Sequence, residues 1–278
     1  MNAAKITRQS KSNLALAFVA LNRERRQDIT IFYAFCRVID DIADSTELSG
    51  QEKARDLTAW RRWLRERSPD ESPIAADVRG LMAKYALTPA MLDEIIDGVE
   101  MDLDNVRYDT FDALRVYCYR VASAVGLVSI EIFGYRNPAC REYAIQLGLA
   151  LQVTNIIRDV GKDLSNGRIY LPQQDLTRFA YSEEDLRLRK YNEPFRRLME
   201  FEATRAEEFF ANAADLLPRE DRRSMVAAEI MRSVYQALLR RMKADGFRIF
   251  EREYRLSRLE KGGHVAAQLF RVSLNARN

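Results

Sequence analysis

The residues with the clearest capacity for chemistry are aspartates at helical spacing. In Arg37-Val38-Ile39-Asp40-Asp41-Ile42-Ala43-Asp44, Asp40 and Asp44 fall about 40° apart on one helix face, with Arg37 a turn earlier on nearly the same face. That face adjoins an apolar stripe containing Ile29, Phe32, Cys36, Ile39 and Ala43. Carboxylates beside such a surface cost free energy unless a cation compensates them. A helix end turning polar towards solvent is the competing reading. The second set lies in residues 147–163. Relative to Gln152, the residues Asn155, Asp159 and Asp163 stand at about −60°, −20° and +20°. Four polar groups therefore line three turns of an otherwise apolar helix. Leu147, Leu149, Leu151, Val153, Ile156, Ile157 and Val160 crowd the remaining circumference, which argues against a merely solvated face. Two Asp pairs with no His or Cys suit a hard cation with oxygen ligands. Mg2+ fits best, because it is usually held by one or two carboxylates plus substrate phosphates. Arg37, Arg158 and Arg168 are available to grip phosphate oxygens. The chemistry is a Mg2+-diphosphate at a cavity rim above apolar walls, for a substrate with a charged head and an apolar tail.

Composition excludes much else. The 278 residues are 47% hydrophobic and 31% charged, as in an ordinary soluble globular chain. One His, His264, cannot build a His-rich metal site, and it follows Gly262-Gly263 near the C-terminus. Cys36, Cys118 and Cys140 form neither a CxxC zinc site nor an even disulfide framework, which favours a reducing cytoplasm. A net charge of +3 gives no reason to expect a nucleic-acid partner. Of the 44 basic residues 36 are Arg, which suits bidentate phosphate contacts and equally suits a high-GC coding bias. No run approaches 18 consecutive apolar residues, and the first residues lack a signal-peptide core.

The elements that must position these groups read as helices throughout. Apolar spacing predicts helices over about 22–44, 51–67, 88–104, 109–133, 139–163, 192–216 and 219–255. Asn137-Pro138, Gly167, Pro194 and Leu217-Pro218 punctuate them, and Thr88-Pro89 marks a helix start. Trp60 and Trp63 sit among arginines and read as packing residues on a solvated helix. With only 11 Gly and 7 Pro and no alternating pattern, a single all-α domain over 1–278 is the simplest organisation. The basic run from Arg248 to Arg258 reads as solvated surface, with contact to anionic lipid as the alternative.

Five blocks in order carry a family resemblance. They are Ser10-Lys11-Ser12, residues 33–44 from Tyr33 to Asp44, residues 117–126 from Tyr117 to Gly126, residues 152–163 from Gln152 to Asp163, and Gly167-Arg168-Ile169-Tyr170-Leu171-Pro172. Together they resemble the squalene/phytoene synthase family over nearly the whole chain. The resemblance implies an all-α isoprenoid synthase fold, a helical bundle around a central cavity with the Asp motifs facing each other. It implies that Asp40, Asp44, Asp159 and Asp163 bind Mg2+. It implies that Ser10, Lys11, Ser12, Arg37 and Arg168 contact diphosphate, that Gln152, Asn155 and Arg158 flank the second motif, that Tyr117, with Tyr33 and Arg37, serves the chemistry, and that Tyr33 and Tyr170 line the site, Tyr170 binding substrate. Tyr235 and Arg252 match C-terminal diphosphate contacts only loosely.

The implied activity is head-to-head joining of two prenyl diphosphates. Residues 120–126 and 130–134 resemble the presqualene diphosphate synthases of hopanoid pathways and favour farnesyl diphosphate. Residues 158–163 and 167–172 resemble phytoene synthases equally well, which keeps geranylgeranyl diphosphate as the alternative. Eukaryotic squalene synthases carry a C-terminal anchor, whereas this chain ends in polar residues at Asn278. No G-x-G-x-x-G appears, although the family's NADPH use does not depend on one; NADPH use and oligomeric state are left open. A terpene cyclase, a Mg2+-dependent nucleotide pyrophosphohydrolase and an inactive lipid-binding helical protein are weaker readings. The pyrophosphohydrolase would need an ExxE pair in an apolar helix.

Overall fold

The structure, a computed structural model, describes residues 17–103 and 107–275. Among these residues there is no strand. A 3-10 turn at Phe18–Ala20 leads into α1 (Arg23–Asp44), capped by Asn22, whose side chain accepts from the Arg25 amide at 2.9 Å. The buried face of α1 carries Ile29, Phe32, Phe35, Ile39 and Ala43. Phe35 meets Trp60 of α2 (Gly50–Arg65) edge to face, with ring centroids 5.4 Å apart. A Ser49/Glu52 capping box starts α2. Both tryptophans pack as expected, Trp60 fully and Trp63 partly buried.

A short α3 (Ala75–Lys84), absent from the sequence pattern, precedes α4 (Pro89–Glu100). Pro89 opens α4 as expected, but the Thr88 side chain makes no capping bond. The expected helix over 109–133 is three pieces: α5 (Phe111–Cys118), a π turn (Tyr119–Ser123) and α6 (Ala124–Phe133). By length and composition this stretch could cross a membrane, yet half of its most apolar window is buried in the protein. The π turn has a positional consequence. In a straight helix Val125 would stand about 80° from Tyr117, and one inserted residue removes roughly 100° of that drift. Tyr117, Val125 and Ser129 thereby line one cavity.

The longest helix, α7 (Cys140–Ser165), crosses the π turn closely and runs along α10 (Glu193–Leu216). The crossing works because position 148 is glycine: a Cβ there would lie 2.5 Å from Ser123 Cα. Gly167, at φ +77°, turns the chain after α7, and the Arg168 amide donates to the Asp163 carbonyl at 2.9 Å. Two short helices, α8 (Gln173–Arg178) and α9 (Glu183–Arg187), were also not legible as periodic segments. Arg205 of α10 ties down α8 through a buried pair with Asp175 (3.1 Å), is itself held by Glu202 of its own helix (2.5 Å), and stacks over Phe111 at 3.9 Å. The expected helix over 219–255 is shorter: α11 (Val226–Ala244) ends at Asp245-Gly246, with Gly246 at φ +66°. An irregular segment then leads to α12 (Arg258–Asn275), which packs on α11. One continuous apolar core runs from Ala17 to Val265.

The Gly148 crossing can be tested. Alanine in a helix interior is intrinsically favoured over glycine by roughly 1 kcal/mol. The steric contact with the Ser123 backbone opposes this by about 1–3 kcal/mol. Gly148→Ala should therefore lower Tm in a thermal melt; a higher Tm would show that the two helices do not need this approach.

Candidate active site

One cavity of about 440 Å3 opens between α1, the end of α4, α5–α6 and α7. It is lined by Tyr33, Arg37, Asp40, Asp44, Tyr117, Gln152, Asn155, Arg158, Asp159, Asp163, Arg168, Tyr170 and Tyr235, so the two helical stripes do face each other across it. Its other walls are apolar, including Ile29, Phe32, Ile95, Val99, Val121 and Val125. Ser10, Lys11 and Ser12 lie outside the described residues. Arg252 departs from expectation. It does not line this cavity but an adjoining one, where it pairs with Asp245 at 3.3 Å. The physical reason is that α11 stops at Ala244, so Arg252 sits on the irregular segment that follows rather than on a helix facing the Asp stripes.

The charges of the cavity are not balanced. Arg158 holds Asp159 through two contacts of 2.9 and 2.5 Å, and Arg168 reaches Asp44 at 3.0 Å. Arg37 pairs with the exposed Asp41 at 2.7 Å rather than with Asp40. Burial pushes the Asp40 carboxyl up to about 7, with Asp44, Asp41 and Asp102 adding to the shift and Arg37 opposing it. Burial likewise pushes Asp163 up to about 7, reinforced by Asp159 and Asp102 and opposed by Lys162 and Arg168. Asn155 Oδ1 is buried with no partner, while its amide nitrogen donates to Gln152 Oε1 at 3.3 Å.

This donor set fits a hard divalent cation: oxygen ligands only, carboxylates short of positive charge, and an orphaned buried amide oxygen beside them. Among the described residues no three acidic side chains converge into a ready cage. Water and phosphate oxygens would complete any coordination shell, as is usual for Mg2+.

Sequence reading missed Asp102. It sits in the turn after α4 and organises the tyrosines. Tyr170 Oη donates to its Oδ1 at 2.6 Å and Tyr117 Oη to its Oδ2 at 3.0 Å, and the two hydroxyls are 3.3 Å apart. The Tyr117 and Tyr170 rings stack at 5.0 Å, and Tyr108 stacks on Tyr170 at 6.3 Å. Burial raises the Asp102 carboxyl, against the opposing pull of the Tyr170 hydrogen bond and Arg168. Burial and then the Asp102 charge push the Tyr117 phenol well above its ordinary range, so it stays a proton donor. The available signal was an acid at the end of an apolar helix, in Val99-Glu100-Met101-Asp102-Leu103; without a periodic partner it did not stand out.

The raised carboxyls set a pH dependence. Only ionised Asp40 and Asp163 can ligate a cation, so the competent form is present above about pH 7 and lost as pH falls through that value. Mn2+ followed by electron spin resonance should bind more tightly at pH 8 than at pH 6, by up to about ten-fold per pH unit for each proton displaced. Equal affinity at both would contradict the assignment.

Known proteins carry the same architecture. The chain is 36% identical over 272 residues to the phytoene synthase of Mycobacterium tuberculosis, covering 95% of this chain and 88% of that protein. It is 35% identical over 240 residues to the presqualene diphosphate synthase of Rhodopseudomonas palustris, covering 85% of each. A dehydrosqualene synthase solved with a ligand superposes with a TM-score of 0.83 at 25% identity, over 98% of this chain and 95% of that one. A squalene synthase from Alicyclobacillus acidocaldarius gives 0.79 at 27% identity, over 88% and 93%. The helical bundle is thus the isoprenoid synthase fold. Residues 7–260 match the squalene/phytoene synthase description, and the chain belongs to that family of head-to-head prenyltransferases.

Proposed function

We propose that the protein joins two farnesyl diphosphates head to head (1'-1), giving a presqualene diphosphate or squalene-type C30 product and releasing diphosphate. The observation that carries this reading is one cavity in which the acid stripes of α1 and α7 meet arginines and a tyrosine stack above apolar walls. Asp40, Asp44, Asp159 and Asp163 would hold Mg2+, with Asn155 and Gln152 adding oxygen donors. Bound there, Mg2+ would supply Lewis acidity towards the departing diphosphate.

The chain's own groups do the rest. Arg37, Arg158 and Arg168 hold phosphate oxygens and stabilise charge as the C1–O bond breaks. The allylic cation of one substrate is attacked by the double bond of the other, and a proton passes to a diphosphate oxygen as the cyclopropane closes. Stacked Tyr117 and Tyr170 present ring faces to the cation, and Asp102 fixes both hydroxyls so that the rings cannot turn away. Tyr33 and Tyr235 wall the same space, and Ile and Val side chains exclude water that would quench the cation. Of the C-terminal matches, Arg252 is assigned at most a contact with phosphate outside the cavity.

Tail length is the finer part of the proposal. A second, apolar cavity of about 170 Å3 lies beside the first, walled by Phe133, Tyr143, Leu147 and Met231. Phe18 lines both cavities and packs edge-on against Tyr33 at 6.1 Å. A bulky ring at the junction favours the shorter C15 tail. Phytoene formation from two geranylgeranyl diphosphates is the second reading, favoured by the similarity to the mycobacterial phytoene synthase. We place the enzyme in the cytoplasm with peripheral membrane contact, since the product is wholly apolar in its tails.

Incubation with Mg2+ and radiolabelled farnesyl or geranylgeranyl diphosphate, with and without NADPH, identifies the product. A C30 product from farnesyl diphosphate is expected; a C40 product alone would replace it with the second reading, and neither product would sink both. Asp40→Asn and Asp159→Asn should each cut turnover on the order of 10²-fold or more with the helical circular dichroism intact; unchanged turnover would make the stripes structural. Phe18→Ala should raise the rate with the C20 substrate relative to the C15 one; an unchanged ratio would remove Phe18 from the length determinants.

A further inference from the structure

Behind the Arg158–Asp159 ion pair lies another chamber, of about 650 Å3, that shares Arg158, Asp159 and Tyr235 with the catalytic cavity as a partition wall. The two spaces have opposite electrostatic character. The catalytic cavity is lined by five carboxylates, Asp40, Asp44, Asp102, Asp159 and Asp163, against three arginines. Beyond the partition, the chamber is lined by Lys162, Arg189, Arg252, Arg255 and Lys261 against Glu251 and Glu253.

Arg252 pairs with Asp245 and Arg255 with Glu253, so among the described residues the lining cations without a carboxylate partner are Lys162, Arg189 and Lys261. Burial, with Arg255 and Arg258 crowding it, pushes the Lys261 ammonium down. Of the two glutamates, Glu253 pairs with Arg255 at 2.6 Å out in solvent, and Glu251 pairs with Arg248, which is not a lining residue. Arg189 is held at φ +51°, a left-handed backbone that is uncommon for a residue with a side chain. In that conformation its guanidinium donates to Ser165 Oγ at 3.0 Å, at the chamber wall. That backbone is the C-terminal cap of α9, where the Arg189 and Lys190 amides donate to the Leu186 and Asp185 carbonyls at 2.9 Å, and it sets the guanidinium at the chamber wall.

We propose that this chamber is a holding and exit site for the inorganic diphosphate released by the condensation. Once detached and free of the cation that held it, a diphosphate in the catalytic cavity faces a surplus of carboxylates on one side and the unpaired cations past the Arg158–Asp159 pair. The field moves it sideways, away from the carbocation and the apolar walls. Its retention there also separates the leaving group from the allylic cation it would otherwise recapture. The proposal rests on the diphosphate-releasing reaction above.

Isothermal titration of inorganic diphosphate into the full chain without Mg2+ tests it independently of turnover, because without cations the acidic cavity repels the ligand. The wild type should bind. Arg189→Gly, which suits the left-handed backbone, and Lys261→Ala should each weaken binding about ten-fold, as expected for one charge-assisted contact. Arg223→Ala, an exposed change outside the lining, should leave it unaltered. In turnover assays both chamber variants should raise the inhibition constant for added diphosphate while KM for the prenyl diphosphate stays fixed. Absence of wild-type binding, unaltered binding by the variants, or a parallel rise in KM would overturn the proposal, the last by making the chamber a substrate-head site. Loss of turnover with diphosphate binding intact would instead count against the condensation reading.

Discussion

The central constraint on this molecule is the concentration of carboxylates in a space sheltered from water. Asp40, Asp44, Asp102, Asp159 and Asp163 share one cavity with three arginines. In such a setting carboxylates either take up protons or recruit cations. Asp40 and Asp163 reach about 7 because burial and neighbouring carboxylates outweigh the opposing pull of Arg37 on the one and of Lys162 and Arg168 on the other. The cost of keeping the cavity in this state is borne by the surrounding helices. Gly148 lets α7 approach the π turn, the π turn aligns Tyr117 with Val125 and Ser129, and Gly167 folds Arg168 back over Asp163. Each feature sacrifices some regularity to bring charged groups into register above an apolar floor.

The site separates two kinds of electrostatic work. On the proposed reading the Asp stripes would take positive charge from a cation bound with the substrate. Asp102 acts differently: it receives two phenol hydroxyls and keeps both phenols protonated. A network in which every member is satisfied is rigid, and rigid aromatic faces suit a short-lived cation better than mobile ones. The ends of α1 and α7 would thus supply ligands, and the turn beyond α4 supplies orientation.

Much of this was legible because the period of a helix is regular. Gln152, Asn155, Asp159 and Asp163 align by arithmetic alone, and α1, α7 and α10 begin and end within a few residues of their apolar patterns. The misses share a cause. The π turn at 119–123 changes the period within a continuous apolar run, so no residue marks it. Asp102 lies in a turn, where spacing carries no directional information. Asp245-Gly246 ends α11 although charged residues continue beyond it, and this moved Arg252 off the expected helix and into the neighbouring chamber. Short α8 is held by the Arg205 ion cluster, a tertiary contact that local sequence cannot express.

The central claim is that the two Asp stripes jointly clamp a cation-bound diphosphate. A crystal structure with Mn2+ and a non-ionising thiolodiphosphate analogue of farnesyl diphosphate, phased on the Mn2+ anomalous signal, tests this most directly. The account predicts metal peaks within coordination distance of both Asp40/Asp44 and Asp159/Asp163, with the diphosphate between them and the chain running down the apolar walls. Metal peaks away from these four carboxylates, or a diphosphate held without them, would contradict it.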